Sequence, residues 1–433
     1  MLPNFLKAFV PLQLIMLSLH AAGPMTDYYV TPGGAAGVSC QSSEPCSFQT
    51  ALDYADNDTL DNTIHVAAGT YSLSGTSLAF SIMEDKSLTI EGANAATTII
   101  DGAHSTRLMK ITRSVTDPNV HITIKNLTFT RGGTFVDGKG LWVSNLDQGS
   151  ITLEGNRFIL NAHNDGDGGG LYIENLNGTT ILKRNIFRDN HGDAGGGAYI
   201  DSDYGTIQVI DNEFTNNSVS SMIEHNGGGL YTDTYTGIVV VANNIFTKNS
   251  AINNGGGYYC RIQSSGVAYI VNNTITDNSA DAYGGGIYVK MFVDASQANI
   301  YNNIIWGNSA IYHGEDIYIN NDGISTGATC NFSYNVYGAD PIDYTAHITG
   351  KVNASYNIQK NPLLTGFSTL SDGRRSLRLF TGSPAINKGN SCVTGIQSTD
   401  YEGAPRVQDT YVNLGAVEAI VPIMAPVYYL LMQ

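Results

Sequence analysis

Gly168-Gly169-Gly170-Leu171-Tyr172-Ile173-Glu174, then Asn185-Ile186-Phe187-Arg188-Asp189-Asn190, then Gly195-Gly196-Gly197-Ala198-Tyr199-Ile200-Asp201: this stretch decides the fold, because its end repeats its beginning. The Gly-Gly-Gly-apolar-Tyr motif returns at Gly227, Gly255 and Gly284, with degenerate copies at Gly138 and Gly314, in steps of 30, 27, 32, 28, 29 and 30 residues. In phase with it runs Asn-x-Phe/Ile-x-x-Asn, at Asn156/Phe158/Asn161, Asn185/Phe187/Asn190, Asn212/Phe214/Asn217, Asn244/Phe246/Asn249, Asn273/Ile275/Asn278 and Asn303/Ile305/Asn308. A repeat of this length means a stacked array in which each unit buries its face on the next.

Apolar residues inside each repeat alternate with period two, the signature of strands. Leu171 and Ile173 point one way, Tyr172 and Glu174 the other. The same parity places Ala198/Ile200, Leu230/Thr232, Ile287/Val289 and Ile317/Ile319 inward. A second strand points Ile151/Leu153, Ile207/Val209 and Val239/Val241 inward as well. Coils of 27 to 32 residues built from short strands must stack in parallel, so the expected fold is all-β, a single right-handed parallel β-helix. The two asparagines per coil are expected to form ladders along the axis, each amide bonding its copy on the next rung and satisfying turn backbone.

Before the repeats, residues 24–87 read as a cap and first coil, with a short amphipathic helix over Phe48 to Ala55. Residues 88–360 read as the β-helix, 361–418 as a distinct C-terminal segment and 419–433 as an apolar tail. That tail is too short to span a bilayer and lacks a basic stop; it reads equally as a final strand or as the start of a sorting signal. Residues 1–23 have the form of a signal peptide, with Lys7, an apolar run from Ala8 to Leu19 and small residues at Ala21, Ala22 and Gly23. Export suits a Cys40–Cys46 disulfide across a short polar loop. Of the other cysteines, Cys260 falls at an inward position and reads as a buried thiol, while Cys330 and Cys392 could pair. A net charge of −16 with no basic run excludes nucleic-acid binding and disfavours polyanionic ligands unless a metal or a local basic patch intervenes.

The Gly-Gly-x-apolar and Phe-x-x-Asn repeats resemble the passenger region of the polymorphic outer-membrane protein family. The early segments Leu88-Thr89-Ile90-Glu91-Gly92 and Thr98-Ile99-Ile100-Asp101-Gly102 resemble the wider pectin-lyase-like β-helix superfamily. Gly382-Ser383-Pro384-Ala385-Ile386-Asn387, Asp400-Tyr401-Glu402-Gly403-Ala404-Pro405-Arg406 and Leu414-Gly415-Ala416-Val417-Glu418 are similar to the choice-of-anchor Q module of exported bacterial β-helix proteins. These resemblances imply export and association with a cell surface.

Two outward rows follow from the parity of the Gly-motif strand. One is aromatic: Trp142, Tyr172, Tyr199, Tyr231, Tyr259, Tyr288 and Tyr318. It is expected to be exposed and to stack on sugar rings, the alternative being stacking within the sheet under covering loops. The other reads Ser144, Glu174, Asp201, Asp233, Arg261, Lys290, Asn320. Polysaccharide lyases of this fold combine calcium-binding acids with a base, so Glu174, Asp201 and Asp233 are candidate Ca²⁺ ligands and Arg261 and Lys290 candidate bases; a solvated charged face is the alternative. A weaker group of metal-ligating types, His163, Asp165, Asp167, His191, Asp193 and His225, precedes the glycine triplets at differing offsets. The functions carried forward are a surface protein binding polysaccharide or cell-surface glycans, a calcium-assisted lyase acting on a uronate polymer, and a structural spacer.

Overall fold

The computed structural model describes residues 25–82, 86–113, 120–134, 136–144, 148–163, 165–220, 226–292, 295–321, 327–338, 351–407 and 412–418. The expected signal peptide, His225 and the apolar tail lie outside them. The described chain winds into a right-handed parallel β-solenoid. Each coil contributes one strand to a twelve-stranded sheet (sheet I, containing Thr206–Ile210), one to a ten-stranded sheet (sheet II, Glu213–Thr215) and one to a nine-stranded sheet (sheet III, Leu230–Thr234). A short five-stranded sheet, containing Ser218–Val219, lies between sheets II and III. The Gly-motif strands pair in the register that the motif sets, Leu171 with Ala198 and Ala198 with Leu230.

The strands are short because each coil turns three corners, each made by one residue in the left-handed region. Asp211 (φ 60) precedes Asn212, Asn216 (φ 54) precedes Asn217, and Gly227 (φ 73) opens the triplet. Asn and Asp tolerate this region better than other side chains, and Gly adopts it freely. Both asparagine ladders form. Each amide Oδ1 accepts the backbone N–H and the side-chain amide of the Asn one coil earlier, as Asn212 does from Asn185 at 2.8 and 3.0 Å. The first ladder runs on to Asn335 and Asn357. The second ends when Asp316, in the third position of a degenerate triplet, replaces the next amide and accepts from Asn308 at 2.8 and 3.1 Å.

The inward residues named above line one continuous core. Within it Phe129, Phe158, Phe187, Phe214 and Phe246 stack at centroid separations of 5.1, 4.9, 4.7 and 4.7 Å. The helix Phe48–Asn57 covers the first rung, capped by Ser47, whose Oγ accepts from the Thr50 N–H. Cys40 and Cys46 are bonded, and Cys260 is a buried free thiol. Cys330 and Cys392 do not pair: Cys330 is sealed in the core and Cys392 lies at the surface.

The C-terminal segment lies along the solenoid wall. The first residue of each sheet II strand points outward, and from Ile186 through Glu213, Ile245, Thr274 and Ile304 to Val336 this row is buried. Leu377, Tyr401, Ala416 and Val417 close over Ile245, and Ala385 and Leu414 over Ile304 and Val336. Polar anchors hold the same seam: Glu213, fully buried, takes Arg188 and Arg375, each at 2.8 Å. Arg406, also fully buried, donates to Glu418 at 2.7 Å and to Asn243 Oδ1 at 2.6 Å.

Candidate functional site

Sheet III places both predicted rows in strict register, Tyr172–Tyr199–Tyr231–Tyr259–Tyr288–Tyr318 beside Glu174–Asp201–Asp233–Arg261–Lys290–Asn320. The expectation of an exposed aromatic row is corrected. Tyr231, Tyr259, Tyr288 and Tyr318 are only 4–5% exposed. They point outward, as their parity requires, but Ala194 and Tyr283 from the loops before the triplets pack against them. Successive rings from Tyr172 to Tyr318 stack face to face at 5.0, 4.6, 4.8, 5.0 and 5.2 Å. A ring sandwiched at the rung spacing of about 4.8 Å has no free face for a sugar. Tyr172 and Tyr199, at the early end of the stack, keep partial exposure. Trp142 is half-buried, with Lys110 over its ring at 4.6 Å and Arg107 at 5.5 Å.

The aromatic side chains exposed beside the polar row are different ones. Tyr204 is 53% exposed and Tyr235 43%, in edge contact at 6.0 Å, on the turns that follow Asp201 and Asp233. The sequence marked them only as aromatic residues beside Asp203-Tyr204-Gly205 and Thr234-Tyr235-Thr236-Gly237 turns, outside any repeat row.

The polar row also departs from expectation. Asp233 is buried, with its carboxylate engaged by Gln263 Nε2 at 3.0 and 3.1 Å and by Arg261 Nη1 at 3.3 Å. Among the described residues no three acidic, histidine or cysteine side chains converge on one ion position. Glu174, Asp201 and Asp233 are therefore a stripe of three carboxylates, not a preformed calcium cage, which needs several oxygens at about 2.3–2.6 Å from one ion. Arg261 is held in its charged form. Burial opposes its charge, yet Asp233, Tyr231 and Tyr259 outweigh that and hold the guanidinium above its ordinary pKa. Lys290 and Arg261 both lie over the Phe292 ring, at 4.5 and 5.1 Å.

Asp201 is the distinctive group. Among the described residues its carboxyl makes no ion pair, and burial together with the charges of Asp233, Asp203 and Glu174 raises its pKa to about 7; Arg261 opposes the shift. Since an unfolded Asp titrates near 3.8, the folded chain binds the extra proton between about pH 4 and pH 7. Stability at this group is thus greatest below that window and is lost as pH rises through it. Asp201→Asn is expected to melt like the parent at pH 4 and at a higher temperature than the parent at pH 8; parallel melting curves across that range would refute the shift.

The loops before the triplets hold a second group of titratable residues. His191 bridges Ser218 (2.9 Å) and Ser220 (2.8 Å), and Asp193 accepts the Gly166 N–H at 3.0 Å, so both stitch loops together. Sequence reasoning missed Lys139, which replaces the middle glycine of the first triplet. It is fully buried, donates to the Gly166 carbonyl at 2.9 Å, and burial lowers its pKa to about 8 against the pull of Asp193, Asp137, Asp167 and Asp165.

No protein-family model matches the chain, and no curated protein matches it. Among solved structures it is similar to pectate lyase Pel9A, at 16% identity and a TM-score of 0.48 over 92% of this chain and 97% of that one. It is also similar to ORF18 of Geobacillus virus E2 (14% identity, TM-score 0.37, 76% of this chain and 60% of that one). A third similarity is to the PL6 family alginate lyase AlyGC (11% identity, TM-score 0.28, 90% and 58%). Likeness at this level concerns the winding of the chain and says nothing of its site.

Proposed function

We propose that this is an exported, surface-associated glycan-binding protein whose contact face is the outer side of sheet III around Asp201. The observation that carries the reading is the pairing of crowded carboxyls with two exposed tyrosines. Glu174, Asp201, Asp203 and Asp233 stand beside Arg261, and Tyr204 and Tyr235 rise next to them. Carboxylates accept sugar hydroxyls, and a free phenol ring gives the apolar face of a pyranose something to cover. The stacked tyrosines beneath supply a rigid platform with phenol edges at Tyr172 and Tyr199. Export is supported by the form of residues 1–23 and by the Cys40–Cys46 disulfide.

A second, enzymatic reading is favoured by Asp201, because a carboxyl titrating near neutrality is suited to proton transfer. It assigns glycan cleavage to the same face, with Lys290 as the neighbouring cation. A panel of neutral, amino and uronate polysaccharides, with and without calcium, tests both when assayed for retention and for unsaturated product. Retention without product is expected, falling about tenfold in the Tyr204→Ala/Tyr235→Ala double variant on loss of two exposed aromatic contacts. Retention of no member of the panel by the parent rejects the binding reading. Product that disappears in Asp201→Asn selects the enzymatic one.

A further inference from the structure

A cleft of about 470 Å³ opens where the turn Ser371-Asp372 of the C-terminal segment crosses the corner between sheets I and II. In a chain of net charge −16, its walls carry three cations, Lys125, Arg157 and Arg184, against Glu154 and Asp372. Three cations in one cleft are a local concentration that a net charge does not disclose, and Glu91, Glu154 and Asp372 lie among them. Lys125 pairs with Glu91 at 3.0 Å and Arg184 with Glu154 at 3.5 Å, both at positions exposed enough for water to weaken the pairing.

Arg157 differs from both. Among the described residues it has no carboxylate within ion-pair distance. Its Nη2 donates to the Asp372 carbonyl at 2.9 Å, while its Nε is buried without an acceptor. Burial and the nearby Arg188 charge lower its pKa, with the charges of Asp372 and Glu213 opposing the shift. The turn presses directly on the guanidinium: a Cβ on Gly373, whose φ is +88, would fall 2.5 Å from Arg157 Nη2. The fork is therefore fixed in place by the C-terminal segment. A half-buried guanidinium without an ion pair is stabilised by a ligand oxyanion, and its planar fork matches a carboxylate. At the same corner Asn94 and Asn126 also line the cleft, and side-chain amides suit sugar hydroxyls.

We propose that this cleft is a binding site for the carboxylate of an acidic sugar unit, with Arg157 as its principal partner and Lys125 and Arg184 flanking it. The site lies on a different wall from Asp201 and stands independently of the reading given to that face. It also gives the docked C-terminal segment a binding role, since both halves of the site must be present.

The test is calorimetric titration of the full chain with trigalacturonate, with a neutral trisaccharide of equal length and with inorganic phosphate. The acidic trisaccharide is expected to bind, more weakly at higher salt. The expected loss is about tenfold in Arg157→Gln, from one charge-assisted hydrogen bond, and smaller in Arg184→Gln. Lys360→Gln, an exposed cation outside the cleft, should leave this binding unchanged, which shows that the loss in the cleft variants is not the removal of any one positive charge. Melting curves establish that each variant is folded; should Arg157→Gln release the C-terminal segment, Arg184→Gln and Lys125→Gln carry the test. Equal binding of the neutral trisaccharide, binding of phosphate alone, or acidic-sugar binding unaffected by the folded variants overturns the proposal.

Discussion

Glu418→Ala is expected to cost about 3–5 kcal/mol, the usual result of leaving a buried charge without its partner. Arg406 is 0% exposed, and its Nη1 donates to Glu418 at 2.7 Å and to the Gly415 carbonyl at 3.1 Å. Its Nη2 reaches Asn243 Oδ1 on the solenoid and the Ala416 carbonyl, each at 2.6 Å. Glu418 in turn accepts the Asn413 N–H at 3.0 Å. Removing the carboxylate leaves a cation in the seam between segment and wall, where water reaches neither side. The loss should appear first as undocking of the C-terminal segment, read by hydrogen exchange over residues 399–407 and 412–418, and then as a lower urea midpoint. Glu418→Gln, which keeps an acceptor, should lose less. An alanine variant with unchanged exchange and midpoint would show that the pair does not hold the seam.

Asn212→Ala should destabilise by about 3 kcal/mol, the upper end of the about 1–3 kcal/mol range for a buried group left unsatisfied, because several are orphaned at once. Asn212 Nδ2 donates to the carbonyls of Leu182 and Ile210, each at 2.9 Å, and to Asn244 Oδ1 at 3.1 Å. Its own Oδ1 serves both N–H groups of Asn185. Asn212→Asp tests whether a charge can replace the amide: Asp316 ends the second ladder successfully, but at a terminus, where its other oxygen accepts the Gly338 N–H at 2.6 Å. In mid-ladder no such donor is supplied, so the aspartate should lose stability too. Chemical and thermal unfolding midpoints equal to those of the parent would remove the ladder from the account of stability.

These two predictions stand on opposite sides of what a sequence discloses. The ladder was legible because repetition fixes register: when Asn recurs at the same phase, each copy must lie over the last, and a side-chain amide both donates and accepts along such a row. The same logic gave the inward strand positions, whereas the cap helix was read from its amphipathic pattern and the Cys40–Cys46 pair from its short polar loop. The docking of residues 361–418 was not read, although a trace was present. In Asn-x-Phe/Ile the x position points outward, yet it is Ile at 186, 245 and 304, an apolar row that required a cover.

Parity shows which way a side chain leaves a sheet, but not what meets it there. The sequence alone determined the solenoid, its corners and the order of residues along sheet III, because these follow from a period. Only the tertiary structure decided that Tyr231, Tyr259, Tyr288 and Tyr318 are covered while Tyr204 and Tyr235 are exposed, since loops of unequal length pack across coils. It also decided that Arg261 belongs to Asp233, that Asp201 is left without a partner, and that Arg157 meets the turn at Asp372, 215 residues away. Contacts of that kind depend on where an aperiodic segment comes to rest, and no spacing in the chain encodes it.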